Sequence, residues 1–401
     1  MSGTMLGGTW ARVSRLMVAV GVALLVAACS GMRGGDSYEG ASASQSPAAT
    51  PPTGAIGNGQ VKVGLILPLT AAGNAAVAAQ AMKNAADMAM AEFNNPNIQL
   101  LVKDDAGTAP GAQLAAQQAI NDGAEIILGP LFAHSVGAAA QLTRPRGVPI
   151  VAFSTDTNVA ASGVYLLSFL PESDVDRIVD YAMTNGKHSF AALLPDNAYG
   201  NVVDGEFRQV VGRHGGRVVA LEHYGNDKAE LQDPVQRIAA AAREVDAIFL
   251  PEGADTLPSV VQALAANGVD PHRIQLLGTG VWDDSRLSNE TVLQGAWFAA
   301  PESTGYRNFS ARYRRRFGQD PVRTATLAYD AVSLVAALVK TQGAQRFSPE
   351  VLTNPSGFSG IDGIFRFRPD GTNQRGLAVL RVAPSGPQVI SPAPHAFAPG
   401  T

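Results

Sequence analysis

The fold is decided by Val61-Lys62-Val63-Gly64-Leu65-Ile66-Leu67-Pro68-Leu69, a nearly continuous apolar run that ends in a turn signal. Such a run is typical of a central parallel strand that is covered on both faces. A long helix is predicted after it, because apolar residues recur there at three- and four-residue spacing and form one stripe that can pack on a sheet. The stripe consists of Met82, Ala85, Ala86, Ala89, Met90 and Phe93.

The same alternation of strand and helix continues along the chain. In the first half, strands are predicted at 98–103, 125–129 and 149–153, and helices at 109–122 and 135–144. A second series opens with the helix-start signature Glu172-Ser173-Asp174. Its predicted strands lie at 190–194, 217–222, 247–250, 275–277 and 295–298, and its predicted helices at 200–214, 231–242 and 257–268. The repeated pattern predicts an α/β protein with two doubly wound parallel sheets.

Later elements complete the folded region. Helices are predicted at 306–317 and 325–341, and a β-rich close at 360–382. Sequence periodicity alone leaves open which half these elements join. The roughly 325 residues of the body are enough for two domains of ~150 residues each.

The N-terminus has the pattern of an export signal. Arg12 and Arg15 precede an apolar stretch over 16–28, which is too short for a permanent membrane helix of ~20 residues. The stretch ends in Leu25-Val26-Ala27-Ala28-Cys29 and resembles the lipobox of bacterial lipoproteins. The resemblance implies that Cys29, the only cysteine, carries a lipid anchor after removal of a signal peptide over 1–28. The alternative is an ordinary signal peptide with a chance cysteine.

Two segments have too few bulky apolar residues to form a core. Residues 29–59 consist mostly of Gly, Ser, Ala, Pro and Thr, and are predicted to be a disordered tether. Residues 384–401 contain five prolines and one aromatic residue, and are predicted to be a disordered tail.

Composition excludes several functions. The formal net charge is −4 and the six histidines are scattered, so neither nucleic-acid binding nor a metal site is predicted. The sequence lacks a Gly-x-Ser-x-Gly elbow, a P-loop and a His-Glu-x-x-His motif, which argues against an enzyme and predicts no cofactor. The expected partner is a small molecule or a protein.

Seven segments, with Phe317-Gly318-Gln319-Asp320-Pro321 as the exit from the fifth, occur in an order that indicates a family. They are Gly64-Leu65-Ile66-Leu67-Pro68-Leu69-Thr70, Ile127-Leu128-Gly129-Pro130, Pro149-Ile150-Val151-Ala152-Phe153-Ser154, Asp196-Asn197-Ala198-Tyr199-Gly200, Phe309-Ser310-Ala311-Arg312-Tyr313, Tyr329-Asp330-Ala331 and Gly360-Ile361-Asp362-Gly363-Ile364-Phe365-Arg366-Phe367. Together they resemble the type I periplasmic binding proteins of the leucine/isoleucine/valine-binding group, which are receptors for ABC importers.

The resemblance implies two lobes joined by three crossings, expected near Phe169, Ala300 and Phe358. Lobe 1 then comprises 60–169 and 301–358, and lobe 2 comprises 170–300 and 359–383. The ligand is expected between the lobes, outside the carboxyl ends of the strands.

Two polar groups of lobe 1 are predicted to bind the ligand. Ala133-His134-Ser135 stands at the start of a predicted helix, where backbone N–H groups attract an anion, although Ser135 can equally be a plain N-cap. Ser154-Thr155-Asp156-Thr157 follows an apolar strand and, by the resemblance, grips the α-amino and α-carboxylate groups of an amino acid. The alternative for this second group is a solvated turn.

Lobe 2 departs from the family pattern. The resemblance implies that Tyr199 closes over the ligand, although Tyr199 can instead simply pack at a strand–helix corner. Amino-acid binders of the family often carry an acidic residue in a loop where this chain has Gly280 or Val281, and Trp282 lies just beyond. Glu252 or Asp156 can substitute for that residue. Otherwise the pocket holds something other than a standard amino acid, or is vestigial.

Two functions therefore remain open from the sequence. The first is a lipid-anchored receptor on a membrane facing the periplasm, which passes an amino acid or related polar ligand to an ABC permease. The second rests on a further resemblance, to lipoprotein activators of penicillin-binding proteins, which use a similar domain to stimulate peptidoglycan synthesis. An enzyme is the remote third possibility.

Overall fold

The computed structural model describes residues 54–93, 96–225 and 228–397. The predicted signal peptide, Cys29 and most of the predicted tether lie outside these residues. The described chain forms two α/β lobes, each with its own sheet, so the predicted fold class is confirmed. Among the described residues, no helix is both long and apolar enough to cross a membrane.

Lobe 1 is built on a six-stranded sheet in the order β1-β3-β2-β4-β5-β6, parallel except for β1. Its strands are β1 (Gly54–Ile56), β2 (Val61–Leu67), β3 (Ile98–Asp104), β4 (Ile126–Leu128), β5 (Ile150–Ala152) and β6 (Val164–Leu166). Its first helices are α1 (Asn74–Glu92), α2 (Ala109–Asn121) and α3 (Ala133–Thr143). Met82, Ala86, Ala89 and Met90 of the predicted α1 stripe pack on one face of the sheet, and α2 and α3 cover the other. Ala85 packs instead in a cluster with Phe309 and Tyr313, and Phe93 is exposed.

Lobe 2 has a seven-stranded sheet whose central strands are parallel. Its helices are α4 (Pro171–Thr184), α5 (Ala198–Arg213), α6 (Lys228–Ala241) and α7 (Leu257–Ala266). Its first strands are β7 (Ser189–Pro195), β8 (Arg217–Tyr224), β9 (Ala247–Phe249), β10 (Gln275–Gly278) and β11 (Trp297–Ala300). Helices α4 and α5 cover one face of this sheet, and α6 and α7 the other.

The late elements are shared between the lobes. The helices α8 (Ser303–Phe317), α9 (Ala325–Thr341) and α10 (Pro349–Leu352) follow β11. The last strands are β12 (Phe358–Gly360), β13 (Gly363–Phe367), β14 (Asn373–Arg375), β15 (Ala378–Arg381) and β16 (Gln388–Ser391). Helix α9 packs beside α1 in lobe 1, and β15 and β16 complete the lobe 2 sheet in the order β16-β15-β11-β10-β9-β7-β8.

The chain passes between the lobes in three places. The first passage, 167–170, joins β6 to α4, and the second, Pro301-Glu302, joins β11 to α8. The third differs from the expectation near Phe358. Strands β12, β13 and β14 form a separate antiparallel sheet, and Phe365 and Phe367 are buried in the core of lobe 1. The chain enters lobe 2 only after β14, because these aromatic side chains hold β13 on lobe 1.

Both predicted disordered ends are partly ordered. Gly54–Ile56 pairs antiparallel with β3, and Gln388–Ser391 pairs antiparallel with β15. Farther along, the Arg366 guanidinium lies 4.5 Å from the centre of the Phe397 ring. The tether and tail predictions were wrong for 54–59 and 384–397. Edge strands are held by backbone hydrogen bonds, so they need few apolar side chains.

Candidate functional site

A cavity lies where the first two passages meet the carboxyl ends of the lobe 2 strands. Its volume is about 440 Å³, which suits a small molecule. The walls contain both apolar and polar side chains, and both lobes contribute residues to them. The apolar walls are Phe169, Pro171, Val281, Ala300, Pro301 and the Tyr306 ring; the polar groups are Asp174, Tyr199, Asp283 and Arg323. We call this cavity the hinge pocket.

Tyr199 enters the hinge pocket from the first turn of α5. Asn197 caps this helix by accepting the Gly200 N–H at 2.8 Å, and a side chain at Gly200 would collide with the Pro195 carbonyl oxygen. The Tyr-Gly pair is therefore set by a tight strand-to-helix turn. The Tyr199 hydroxyl lies 2.7 Å from the hydroxyl of Thr279, and burial raises the pKa of the tyrosine above its ordinary value.

Asp174 faces the hinge pocket from α4. Its Oδ2 accepts the backbone N–H of Gly280 at 2.8 Å, which ties the helix to the loop after β10. Burial raises the pKa of Asp174 to about 7, although the Gly280 N–H and the positive charge of Arg375 act in the opposite direction. A carboxyl group that titrates near neutral pH in a cleft is a candidate for ligand recognition.

Arginine and aromatic side chains form the hinge side of the site. The Arg323 guanidinium lies 4.4 Å from the Tyr306 ring centre and 4.8 Å from that of Phe169, and its Nη2 pairs with Asp362 at 2.6 Å. The Arg375 guanidinium lies 4.6 Å from the same Phe169 ring. Phe169, Tyr306 and Arg375 lie in or next to the three passages, one residue for each. We call Phe169, Tyr306, Arg323 and Arg375 together the hinge stack, and it connects all three passages.

Arg375 is the most deeply buried cation of this group, with 5% of its surface exposed. Its Nε donates to the Ser168 carbonyl at 2.8 Å, whereas both terminal nitrogens lack a hydrogen-bond partner among the described residues. Burial lowers the pKa of Arg375, and the nearby carboxylates of Asp362 and Asp330 oppose this effect. Burial also raises the pKa of Asp330 to about 7.

The first predicted group in lobe 1 is engaged locally. Ala133 begins α3, the His134 Nε2 lies 2.9 Å from the Gly107 carbonyl oxygen, and the buried Ser135 donates to the Thr108 carbonyl at 3.4 Å. These contacts hold α3 against the turn after β3. None of the three residues lines the hinge pocket.

The polar side chains of the second predicted group also form hydrogen bonds mainly within their own loop. The Asp156 N–H donates to the buried Ser154 hydroxyl at 3.1 Å, and Asp156 in turn accepts the Asn158 N–H at 3.0 Å. Thr155 is exposed. Only Thr157 reaches lobe 2, where its hydroxyl donates to Glu172 at 3.3 Å.

Thr157 and Glu172 line a second groove of about 1110 Å³, bounded by α4, α5, the turn between β13 and β14, and residues 392–397. Charged side chains of both signs line it, and several are paired with each other, as in Asp176 with Arg213. This groove is larger than the hinge pocket, but charged and polar side chains make up a greater share of its walls, so we place the candidate site in the hinge pocket.

Of the lobe 2 predictions, Tyr199 alone lines the hinge pocket. Glu252 lies beside Tyr224, and burial raises its pKa while the Tyr224 hydroxyl and the Gly253 N–H lower it. Trp282 is 1% exposed and packs on Gly278 and Phe298 in the lobe 2 core. Because its side chain belongs to that core and does not line the hinge pocket, Trp282 is removed from the predicted site.

Asp174, Arg323 and Tyr306 were missed by the sequence analysis. Asp174 was noted only as part of a helix-start signature, and no motif marks Arg323 or Tyr306. These residues can be found only when it is known how the passages bring the two lobes together, and a single sequence does not give that arrangement. Within 54–93, 96–225 and 228–397, no cluster of three or more potential metal ligands is present.

A family model described as periplasmic binding protein matches residues 60–387, and no curated protein matches the chain. A proposed branched-chain amino acid ABC transporter from Rhodospirillum rubrum has a TM-score of 0.74 at 21% identity, covering 82% of this chain and 99% of that one.

Two further solved structures contain ligands. A solute-binding protein from Rhodopseudomonas palustris in complex with 3,4-dihydroxybenzoic acid has a TM-score of 0.59 at 24% identity, over 84% of this chain and 97% of its own. A substrate-binding protein from Desulfitobacterium hafniense in complex with Leu has a TM-score of 0.59 at 17% identity, over 82% and 99%. At these identities the likeness shows a shared fold.

Proposed function

Because the chain belongs to the periplasmic binding protein family, we propose that it is a lipid-anchored receptor that delivers an amino acid or related small polar ligand to an ABC importer. The hinge pocket is the observation that carries this proposal. Its apolar walls enclose a few ionisable groups from both lobes, which is the composition expected of a small-molecule site.

The position of the hinge pocket also supports a receptor that signals by closure. Asp174 and Tyr199 belong to lobe 2, whereas Tyr306 and Arg323 belong to lobe 1. A ligand that contacts both sets gains its full binding energy only when the lobes hold one relative orientation. Ligand binding would therefore favour that orientation, and an importer could recognise it.

The two predicted lobe 1 groups are not assigned the main ligand contacts in this proposal. Ala133-His134-Ser135 and Ser154-Thr155-Asp156-Thr157 make local hydrogen bonds, as described above. We infer that they shape the lobe 1 edge and that the ligand's main contacts come from the hinge pocket. Glu252 lies outside that pocket and is assigned a supporting role beside Tyr224.

Ligand screening tests the receptor function. Thermal unfolding of the full-length protein should be followed with the standard amino acids, γ-aminobutyrate, benzoate and 4-hydroxybenzoate. A ligand at 100 times its Kd stabilises the native state by about 2.7 kcal/mol, so at least one probe should raise the Tm clearly. A panel in which no probe shifts the Tm would contradict the proposal. It would leave the competing role, activation of a penicillin-binding protein, to be tested by co-purification.

The lipid anchor is a separate part of the proposal. It rests on Cys29 and the sequence before it. Cys29→Ala should move the protein from the membrane fraction to the soluble fraction and abolish labelling by a radioactive fatty acid. Membrane retention of the variant would contradict the anchor without bearing on the ligand.

A further inference from the structure

Six residues near the C-terminal end of the described chain run from lobe 2 to lobe 1 across the hinge. They are residues 392–397, and we call them the C-terminal strap. The strap begins where β16 ends, on the lobe 2 sheet. There the Arg177 guanidinium, from α4, donates to the Ser391 hydroxyl at 2.6 Å and to the Leu377 carbonyl oxygen at 2.9 Å. The start of the strap is therefore fixed to lobe 2.

The middle of the strap is fixed to two of the three passages. The Ala393 N–H donates to Glu302 Oε1 at 3.0 Å, and Glu302 belongs to the second passage. Pro394 lies against Gly376, which follows β14 in the third passage. A Cβ at Gly376 would lie 3.2 Å from both Cγ and the carbonyl oxygen of Pro394. So close an approach depends on the absence of a side chain at Gly376.

The end of the strap lies on lobe 1. The half-buried Phe397 ring packs on Gly357, directly before β12, where a Cβ would lie 2.8 Å from Phe397 Cε2. The Arg366 guanidinium, from β13, lies 4.5 Å from the centre of the same ring. Arg366 is itself buried and donates to the Gln374 side chain and to the Pro355 carbonyl oxygen. A cation that is held in place and largely removed from water attracts an aromatic ring more strongly than an exposed one.

These contacts make the strap a fourth link between the lobes, in addition to the three passages. Its attachment to lobe 1 is non-covalent and therefore reversible. Only His395 and Ala396 separate Pro394, at the third passage, from Phe397, and three residues span at most about 11 Å. A rotation of the lobes about the hinge therefore has to displace the Phe397 ring from its place on lobe 1.

We propose that the C-terminal strap holds the two lobes in the orientation described above, and that release of Phe397 from lobe 1 lets them rotate. The strap thereby sets how much free energy a ligand or a protein partner has to supply to change that orientation. The proposal concerns the free protein, so it stands or falls independently of the ligand of the hinge pocket.

Distances between spin labels in the full-length protein test this role. Cys29→Ala removes the only native cysteine. Labels at Leu114→Cys on α2 and Val202→Cys on α5 then report the distance between the lobes, since both positions are exposed. Labels at Val77→Cys on α1 and Leu114→Cys both lie in lobe 1 and provide an internal control. Pulsed dipolar EPR spectroscopy gives the distance distribution of each pair.

Two truncations provide the first comparison. A chain that ends after Ser391 lacks the strap, whereas a chain that ends after Phe397 keeps it and lacks only 398–401. Loss of the strap should broaden the interlobe distribution or add a second distance to it, while the distance within lobe 1 stays unchanged. The longer chain should match the full-length protein. Equal interlobe distributions in the two truncated chains would overturn the proposal.

Glu302 provides an independent test of the middle of the strap. Glu302→Ala removes the acceptor of the Ala393 N–H, whereas Glu302→Gln keeps an oxygen that can accept it. Glu302→Ala should raise the population of other lobe orientations about two- to tenfold, the range for one hydrogen bond, and Glu302→Gln should raise it less. Wild-type distributions in both variants would contradict the role of the strap.

Substitutions of Phe397 test the contact with lobe 1. Phe397→Ala should raise the population of other orientations roughly five- to tenfold, the factor expected for one partly desolvated contact between a ring and a cation. Phe397→Tyr keeps the ring and should behave as wild type. The matched control is His395→Ala, which changes an exposed side chain of the same strap and should also leave the distribution unchanged. If Phe397→Ala keeps the wild-type distribution, Phe397 does not hold the lobes and the proposal fails.

Discussion

The lobe 1 edge and the hinge pocket are both polar regions at the carboxyl ends of strands, yet their polar groups are used differently. At the lobe 1 edge, formed by 133–135 and 154–157, His134, Ser135, Ser154 and Asp156 are satisfied by nearby backbone groups. In the hinge pocket, burial raises the pKa of Asp174 to about 7. Polar groups that are satisfied locally stabilise turns, whereas groups left with an unfavourable charge are available to a ligand.

The largest effect is expected at the hinge stack. Arg375→Met would remove the buried guanidinium beside Phe169 and leave Asp330 and Asp362 with less positive charge around them. Removing one partner from a buried charge network typically costs about 3–5 kcal/mol. Denaturant unfolding should show this loss, while the exposed Arg315→Met should stay within about 0.5 kcal/mol of wild type. Equal stability of the two variants would show that the stack does not hold the lobes.

A pH effect of intermediate size should arise at Asp330. Its pKa is raised from 3.8 to about 7, so the native state binds a proton more tightly than the unfolded chain. The free energy of unfolding should therefore fall as the pH rises from about 4 to 7, by about 1–3 kcal/mol from this group, since one pKa unit is worth ~1.4 kcal/mol.

Asp330→Asn should flatten that fall when unfolding is measured across the same pH range. Asparagine retains an acceptor for the Ile361 N–H that Asp330 binds at 2.9 Å. Asp180→Asn, with a half-exposed carboxylate, is the control. A wild-type stability that instead rises between pH 4 and 7, with the same slope in Asp330→Asn, would refute the assignment of a raised pKa.

Tyr199→Phe should have a smaller effect, on both stability and binding. The substitution leaves the buried Thr279 hydroxyl without its partner, which should cost about 1 kcal/mol of stability. Loss of the hydroxyl from the pocket wall should weaken the best ligand by roughly fivefold. Unchanged affinity would exclude the Tyr199 hydroxyl from recognition.

The smallest effect on affinity is expected at the lobe 1 edge. Ser135→Ala and Thr157→Ala remove hydroxyls whose partners are Thr108 and Glu172, each at a stability cost of about 1 kcal/mol or less. Ligand affinity, measured by the same titration, should change by less than about twofold. A loss larger than that seen for Tyr199→Phe would move the centre of the site from the hinge pocket to the lobe 1 edge.

The sequence predicted the framework well because strong periodicity marks it. Helix 325–341 was predicted with the bounds that α9 has, since its apolar residues repeat over several turns. Strands β1 and β16 were missed because each is only three or four residues long and lies in a segment rich in Gly, Pro and Ser. Backbone pairing orders them, and one isoleucine of each, Ile56 and Ile390, packs against a core. The third passage was misplaced because the alternating aromatic residues of β13 do not indicate which lobe they pack on.

The candidate site was less predictable for a different reason. Tyr199 was found because a local turn motif contains it. Asp174 and Arg323 are far apart in sequence, stand on ordinary helix-flanking segments and meet only because the passages bring the lobes together. Trp282 was chosen because it lies just beyond the loop position at Gly280 or Val281, but Gly278 has no side chain and leaves room for the indole ring in the core.

Blocking the hinge pocket tests the central claim most directly. Val281 lines the pocket and is 41% exposed, and Val202, on α5 outside the pocket, is 38% exposed. Both variants should be titrated with the ligand that the wild-type protein binds most tightly. Val281→Trp should lower the affinity at least about 30-fold because the indole fills the cavity. The affinity of Val202→Trp should stay within about twofold of wild type. Equal, wild-type affinity in both variants would contradict a ligand site in the hinge pocket.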